Sequence, residues 1–221
     1  MEYSKHIVFD LDWTLADTQI IHQKIEADFL KTFWVEINPE EIWKKYAWRS
    51  PQEWIPELLD ELSIKYTQND IESFVDWKDE KVIELLKSWK INLMDWTTEV
   101  LKNLYSKWYR LWISSGACRE FIDNFIEYFN FNDIIDASTS ANEVVNKKPH
   151  PDVFLRSFEQ LEKKYWKSIE RIVVWDWWSD VIWWKASNAM TIWINTNKPK
   201  DEKMLDVQVK NIKEIYNIIV K

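Results

Sequence analysis

Short apolar runs alternate with segments of helical periodicity along most of this chain. The runs with the character of β-strands are His6–Phe9, Tyr109–Ile113, Ile134–Asp136, Arg171–Val174 and Thr191–Ile194. Neighbouring parallel strands need a crossover connection, which is usually a helix, so this alternation indicates a parallel sheet. The pattern therefore predicts an α/β fold built on a parallel sheet.

Helical segments lie between and after the later strands. They cover Thr98–Lys107, Arg119–Phe129, a stretch that begins at Pro151, Val181–Asn188 and Ile212–Val220. Each connects one predicted strand to the next or closes the chain, as crossover helices of a parallel sheet do.

The stretch from Asp17 to Ser88 is helical in character and shows no obvious strand. Signals for helix starts recur within it, at Asn38-Pro39, at Ser50-Pro51 with Glu53, and at Thr67 before Asp70. We therefore interpret residues 16–90 as a helical cap, inserted after the first strand of a core formed by residues 1–15 and 91–221.

The bulk composition restricts the class of partner. The 221 residues carry 37 acidic and 29 basic side chains, a net charge of −8, which disfavours nucleic acid and anionic membrane surfaces. The single cysteine, Cys118, excludes an internal disulfide, and the start of the chain lacks the apolar core of a signal peptide. We expect a cytoplasmic protein, a monomer or weak dimer, whose partner is a small molecule.

Seventeen tryptophans accompany a single glycine, Gly116. Average usage predicts about 15 glycines in a chain of this length. Several tryptophans follow a helical run at the position where a left-handed glycine usually ends the helix, namely Trp34, Trp89, Trp108 and Trp166. Others lie in turn-like contexts, namely Trp13, Trp48, Trp96 and Trp177.

This placement suggests that most of the tryptophans are glycines in the natural protein. A bulky residue is strained at positive φ, whereas glycine is not. The codon UGA specifies tryptophan in some genetic codes and glycine in others, which would produce this exchange. A protein that is simply rich in tryptophan is the alternative, although it would still need turn glycines. Trp54, within a helical stretch, is the tryptophan that we most expect to be genuine.

Polar clusters follow four of the predicted strands. In an open parallel sheet this places them together at the carboxyl edge, where such folds bind ligands. Two carboxylates two residues apart can serve as nucleophile and proton donor, a lysine in a stiff turn supplies a cation, and carboxylate oxygens suit magnesium. The clusters are Asp10 with Asp12, Ser114 with Ser115, Lys147 with Lys148, and Asp176 with Asp180.

Any one of these clusters alone is more typical of a turn or a helix cap, but the ordered set is specific. The segment FDLDWTLADT, Ser114, the segment KKPHPDVF and the segment VVWDWWSD resemble the four motifs of the haloacid dehalogenase-like hydrolases. The resemblance covers nearly the whole chain and implies a Rossmann-like core with a small helical cap. Trp13, Trp175 and Trp177 stand where that family usually has glycine.

The resemblance also implies a role for each polar residue. Asp10 would attack phosphorus and become an aspartyl phosphate, while Asp12 would protonate the leaving group and later activate water. Ser114, Ser115 and Lys148 would hold the phosphoryl group, the two serines by offering a hydroxyl and backbone N–H groups to a phosphate oxygen. Mg²⁺ would be bound by the carboxylates of Asp10 and Asp176 and the carbonyl of Asp12, with Asp180 either as a direct ligand or as a residue that holds one of the ligands.

Three residues of the predicted cap are candidates for reading the substrate. His22 lies twelve residues after Asp10, where sugar-phosphate mutases of the family have a histidine, although a lone helix histidine is more often structural. Arg49 resembles a substrate-reading loop residue, with a solvated arginine before a helix as the alternative. Lys78 would reach the site from the cap, but its charged neighbours favour a solvated helix face.

The leading interpretation is a Mg²⁺-dependent phosphatase of a small phosphorylated metabolite. A β-phosphoglucomutase-like mutase is the close alternative, since it would use the same aspartyl phosphate and return it to sugar. Dehalogenation is disfavoured because Asp12 is a proton donor that carbon–halogen cleavage does not need. A non-enzymatic binding module would be expected to have lost one of the four clusters, and none is lost.

Overall fold

A computed structural model describes the greater part of the chain in two compact units. The described residues are 5–46, 49, 51–88, 90–146, 150–165, 170–176, 188–195 and 205–220. The first unit comprises Met1–Asp17 and Asn92–Lys221, and the second comprises Thr18–Ile91.

The first unit contains a parallel sheet. Within the described residues it has six strands in the order β3-β2-β1-β4-β5-β6, and every neighbouring pair is parallel. The strands are β1 (Lys5–Phe9), β2 (Arg110–Ser115), β3 (Ile135–Ser140), β4 (Glu170–Trp175), β5 (Met190–Ile194) and β6 (Val207–Val209). The predicted α/β class with a Rossmann-like parallel sheet is confirmed.

Helices account for most of the remaining described residues. Those of the first unit are α5 (Thr97–Ser106), α6 (Arg119–Tyr128), α7 (Asp152–Tyr165) and α8 (Lys213–Ile219), with a short 3₁₀ helix at Ala141–Glu143. Those of the second unit are α1 (Gln19–Lys31), α2 (Pro39–Tyr46), α3 (Pro51–Glu61) and α4 (Gln68–Lys87). None of the helices among the described residues is long and apolar enough to cross a membrane.

The structure corrects the predicted strands in three respects. Strand β2 continues through Ser114 and Ser115, which were expected to follow the strand rather than to end it. Strand β3 continues to Ser140, and β6 was not predicted. These segments contain polar residues and lack the apolar pattern by which a strand is recognised in a sequence. They form strands because their backbones pair with β2 and β5. Most of the predicted helix Val181–Asn188 lies outside the described residues.

One face of the sheet is packed against α7. Val8, Trp112 and Val173 come from three adjacent strands and are almost fully buried. They meet an apolar stripe on α7 whose members recur at helical spacing, Phe154, Phe158 and Leu161. Burying side chains of this size contributes about 1.5–3 kcal/mol each, so this layer holds the central strands together.

His6 is a buried ionisable residue on β1. Its register partners are Arg110 on β2 and Arg171 on β4. Burial lowers the pKa of His6 from 6.5 to about 4, because the charged imidazolium loses its hydration. The unfolded chain therefore binds the proton first as the pH falls. The contribution of neutral His6 to the free energy of unfolding is therefore complete above about pH 6.5 and is lost as the pH falls towards 4.

We therefore expect the free energy of unfolding to fall more steeply between pH 7 and pH 4 in the unmodified protein than in His6→Gln, whose side chain does not titrate. The measurement is chemical denaturation at a series of pH values. His150→Gln, at an exposed position, is the matched control and should follow the unmodified protein. Identical pH dependence in His6→Gln would contradict the assignment.

The second unit packs its four helices around aromatic side chains. Phe29 of α1 lies against Phe74 of α4, with ring centroids 4.1 Å apart. Trp54 of α3 is only 1% exposed and is stacked on Tyr46 of α2 at 4.5 Å. The predicted start of α4 is confirmed, since Thr67 and its third following residue form a reciprocal capping box.

Four tryptophans have the backbone conformation expected for glycine. The φ angles are 57° at Trp13, 61° at Trp34, 73° at Trp96 and 66° at Trp108. The expected left-handed backbone is therefore confirmed at these positions. The expectation of a glycine-like turn at Trp175 is wrong, because this residue ends strand β4 and is fully buried in the core. The corresponding expectations for Trp48, Trp89, Trp166 and Trp177 lie outside the described residues.

Candidate active site

Asp10 lies at the carboxyl end of the central strand of the sheet. Strands β2 and β3 lie on one side of β1, and β4, β5 and β6 lie on the other, so the strand order changes direction at β1. In open α/β sheets, ligands bind in the crevice at the carboxyl ends of the strands at such a switch point. The backbone N–H of Asp10 donates to the Val174 carbonyl at 2.9 Å, and its Oδ1 accepts from the Leu11 N–H at 2.8 Å. The side chain is thereby held at the strand end, where the residue is only 5% exposed.

Ser114 is the neighbour of Asp10 across the sheet. Phe9 of β1 pairs with Ile113 of β2, so Asp10 and Ser114 are the next residues on adjacent strands. Ser114 is fully buried, and its Oγ has no hydrogen-bond partner among the described residues. A buried hydroxyl without a partner is unfavourable, so this atom is suited to contact a ligand.

Asp12 lies two residues further along, half-buried beside the end of β2. Its Oδ2 accepts a long hydrogen bond of 3.4 Å from the hydroxyl of Ser115. The same hydroxyl accepts from the Ala117 N–H at 3.0 Å. The structure thus brings together Asp10, Asp12, Ser114 and Ser115.

Asp176 follows β4, the other neighbour of β1, and is 6% exposed. Its Oδ1 is 3.5 Å from the hydroxyl of Thr14, in the loop after β1. The Asp176 carbonyl accepts from Trp193 Nε1 at 2.7 Å and from Asn195 Nδ2 at 3.1 Å. The sequence motifs did not reveal these three partners, although Asn195 directly follows β5 and polar residues gather at the carboxyl ends of parallel strands.

The charges at this edge of the sheet fit a bound cation. Asp10 and Asp176 are buried carboxylates at the ends of adjacent strands, and buried anions are unfavourable without compensating positive charge. Their oxygen donors are of the kind that Mg²⁺ prefers. Among the described residues no three His, Cys, Asp or Glu side chains form a metal site on their own. Lys148 and Asp180, which were expected to complete the site, lie outside the described residues.

The three substrate-reading candidates all belong to the second unit. His22 is half-buried on α1, and Arg49 forms an ion pair of 2.5 Å with Glu57 of α3. Lys78 of α4 pairs with Glu26 of α1, and its side chain is 16% exposed. The solvated helix face expected for Lys78 is therefore wrong, because Glu26 holds its ammonium group against α1.

Comparisons with known proteins agree with this arrangement. The sequence model of the haloacid dehalogenase-like hydrolase family matches residues 7–194. The protein CbbY of Rhodobacter capsulatus is 26% identical over 167 residues, which are 71% of this chain and 71% of CbbY.

Solved structures show the same fold over nearly the whole chain. A variant of CbbY from Rhodobacter sphaeroides, in complex with xylulose 1,5-bisphosphate, has a TM-score of 0.78 at 17% identity, covering 96% of each chain. A Thermotoga maritima protein named as a β-phosphoglucomutase has a TM-score of 0.73 at 18% identity, covering 98% of each chain. At identities of this size the similarity establishes a shared fold.

Proposed function

The chain belongs to the haloacid dehalogenase-like hydrolase family, and from this premise we propose that it is a Mg²⁺-dependent phosphatase of a small phosphorylated metabolite. The observation that carries the proposal is the meeting of Asp10, Asp12, Ser114 and Asp176 at the carboxyl edge of the sheet, with the Ser114 hydroxyl buried and unpartnered among the described residues. Nucleophile, proton donor and phosphate-binding hydroxyl are therefore close together.

In the first step, a carboxylate oxygen of Asp10 attacks the phosphorus of the ester. The bond between phosphorus and the leaving oxygen breaks, and Asp12 gives its proton to that oxygen, so that an alcohol leaves and an aspartyl phosphate remains. The backbone contacts of Asp10 support this role, because they hold the nucleophile in place before the substrate arrives.

In the second step, water attacks the aspartyl phosphate at phosphorus. Asp12, now ionised, takes a proton from that water while the bond between phosphorus and Asp10 breaks. Inorganic phosphate leaves and Asp10 is restored. One residue thus acts as acid and then as base, which suits a half-buried carboxyl group that can exchange its proton with solvent.

Phosphoryl transfer depends mainly on positioning and on compensation of charge. The Ser114 hydroxyl would donate to a phosphoryl oxygen, and Lys148 would provide a cation. Asp10, Asp176, Asp180 and the Asp12 carbonyl would hold the Mg²⁺, which offsets the negative charge of the carboxylates and the phosphoryl group when it is bound. The second unit, Thr18–Ile91, would act as the cap that selects the substrate through His22, Arg49 and Lys78.

A panel of phosphate esters tests this function. Release of inorganic phosphate is measured with Mg²⁺ and with Mg²⁺ removed by a chelator. Because CbbY of R. sphaeroides binds xylulose 1,5-bisphosphate, sugar phosphates and bisphosphates form the core of the panel. We expect release with Mg²⁺ and a loss of at least about a hundredfold without it. Failure to hydrolyse any ester of the panel in the presence of Mg²⁺ would contradict the proposal.

A sugar-phosphate mutase is the second candidate, favoured by the position of His22 on α1. If His22 directs the phosphoryl group to sugar, His22→Ala should reduce isomer formation from a β-sugar 1-phosphate roughly tenfold more than it reduces phosphate release. The measurement is separation of the 1- and 6-phosphates by anion-exchange chromatography. Lys24→Ala, at an exposed position on the same helix, is the control. Free phosphate with no isomer at any substrate concentration would exclude the mutase.

A further inference from the structure

The hydroxyl of Ser115, at the end of β2, makes two hydrogen bonds at this edge of the sheet. Its Oγ accepts from the Ala117 N–H at 3.0 Å, which occupies one lone pair. A serine hydroxyl has one hydrogen to donate, and the acceptor within reach is Asp12 Oδ2 at 3.4 Å. The hydroxyl is fully buried and directed at Asp12.

The loop after β2 is itself held in place. Ser115 pairs in register with Ser140 of β3, and the Ser140 hydroxyl donates to the Ala117 carbonyl at 2.7 Å. The Ser140 Oγ also accepts from the Asn142 N–H at 3.2 Å, which anchors it in the 3₁₀ helix. The hydroxyl of Ser115 is therefore located by contacts on two strands rather than by its own rotamer alone.

We propose that the Ser115 hydroxyl positions the Asp12 carboxyl group, so that Ser115 serves proton transfer through its side chain while Ser114 serves the phosphoryl group. The inference rests on the function proposed above, in which Asp12 exchanges a proton with the leaving group and with water.

The proposal has a consequence for the kind of ester that is hydrolysed. An alkyl phosphate needs a proton from Asp12 on its leaving oxygen, whereas the p-nitrophenolate of p-nitrophenyl phosphate leaves without one. Because kcat/KM reports the steps up to formation of the aspartyl phosphate, a misplaced Asp12 should lower kcat/KM for the alkyl ester and leave it nearly unchanged for the aryl ester.

The experiment compares kcat/KM for phosphate release from the best sugar phosphate of the panel with kcat/KM for p-nitrophenyl phosphate. In Ser115→Ala, kcat/KM for the sugar phosphate should fall roughly three- to tenfold more than kcat/KM for p-nitrophenyl phosphate. Ser115→Cys retains the volume and weakens the donor, so it should resemble Ser115→Ala. Ser115→Thr restores a hydroxyl and should bring the ratio of the two values back towards that of the unmodified protein.

Ser114→Ala separates the two serine roles, because it should lower kcat/KM for both esters alike. Equal effects on the two esters in folded Ser115→Ala and Ser115→Cys would overturn the positioning role. A crystal structure of the unmodified protein tests the contact itself, and an Asp12 carboxyl group away from the Ser115 hydroxyl would also overturn it. If the contact is present but the unmodified protein hydrolyses no ester, the contact stands and the proposed phosphatase function fails.

A second inference concerns the tryptophans at positive φ and is independent of the chemistry. After α1 the Val35 N–H donates to the Leu30 carbonyl at 3.1 Å, and after α5 the Tyr109 N–H donates to the Leu104 carbonyl at 3.3 Å. Each is the closing bond of a Schellman motif, with Trp34 and Trp108 at the left-handed position. Their side chains are 95% and 80% exposed, so neither indole is held by packing.

Two other described helix ends close in the same way on smaller polar residues. After α3 the Ile64 N–H donates to the Leu59 carbonyl at 2.9 Å, with Ser63 at positive φ. After α6 the Phe131 N–H closes the same motif on the Ile126 carbonyl, with Asn130 at positive φ. Asparagine is among the few residues that adopt this conformation readily, whereas tryptophan is strained there. Trp54, in contrast, lies within a helix and is buried.

We propose that the natural protein carries glycine at positions 13, 34, 96 and 108, through UGA codons decoded as glycine. The test is the intact mass of the protein purified from its native cell, with peptide sequencing across the four positions and the codons of the gene. Glycine at these positions with UGA codons supports the proposal, and Trp54 should remain tryptophan with a UGG codon. Tryptophan at the four positions, or UGG codons there, overturns it.

Discussion

Asp10→Asn should abolish phosphate release, by at least about a thousandfold, while the protein remains folded. The amide has nearly the shape of the carboxylate, and its oxygen can still accept from the Leu11 N–H that now contacts Oδ1. It cannot form an aspartyl phosphate. Because the change also removes one of two buried negative charges at neighbouring strand ends, the free energy of unfolding should not fall.

The measurement is phosphate release with Mg²⁺ on the best ester of the panel, alongside denaturant unfolding of the same preparations. Asp133→Asn makes the same chemical change at an exposed position between α6 and β3 and should leave activity unaltered. Full activity in a well-folded Asp10→Asn protein would show that another group attacks phosphorus, and the aspartyl-phosphate mechanism would be abandoned.

Exchanging tryptophan for glycine should change stability with opposite signs at two kinds of position. Trp34 and Trp108 have a left-handed backbone, whose strain is about 1–2 kcal/mol for each residue, and exchange for glycine removes this strain. Part of the gain is offset because glycine increases the conformational entropy of the unfolded chain. We expect Trp34→Gly and Trp108→Gly together to raise the free energy of unfolding by about 1–2 kcal/mol. Two exposed indoles are also removed, which should increase solubility.

At Trp54 the same exchange should lower the free energy of unfolding by about 4–6 kcal/mol, because it empties a buried aromatic site and puts glycine inside α3. Trp54 thus provides the matched control within one chain. Urea denaturation of the three proteins measures both effects. A loss of stability in the Trp34→Gly and Trp108→Gly double variant would contradict the interpretation of these positions as glycine sites.

The local order of the chain was predictable from sequence. Apolar runs of strand length and helical periodicity are properties of neighbouring residues, so they located β1, β2, β4 and β5 and most of the helices. The left-handed positions at Trp34 and Trp108 were also predictable, because a helix end and its closing residue lie within a few positions of each other.

Features that depend on the pairing of β-strands were predictable only in part. The rule that polar residues gather at the carboxyl edge of a parallel sheet brought Asp10, Ser114 and Asp176 to one place. It did not reveal that Asp10 and Ser114 are direct neighbours, because the register of β1 against β2 is set by packing between distant segments. Strand β6 escaped prediction for the same reason, since its three residues are held by pairing with β5.

Contacts between side chains were decided by the tertiary structure alone. The Ser115 hydroxyl meets Asp12 across 103 positions, and Lys78 meets Glu26 across 52. Periodicity tells which way a residue faces, but a hydrogen bond also depends on distances of a few tenths of an ångström, which arise only when the strands and helices have packed. The sequence by itself determined the fold class and the chemical groups of the site, and tertiary packing decided which of those groups touch.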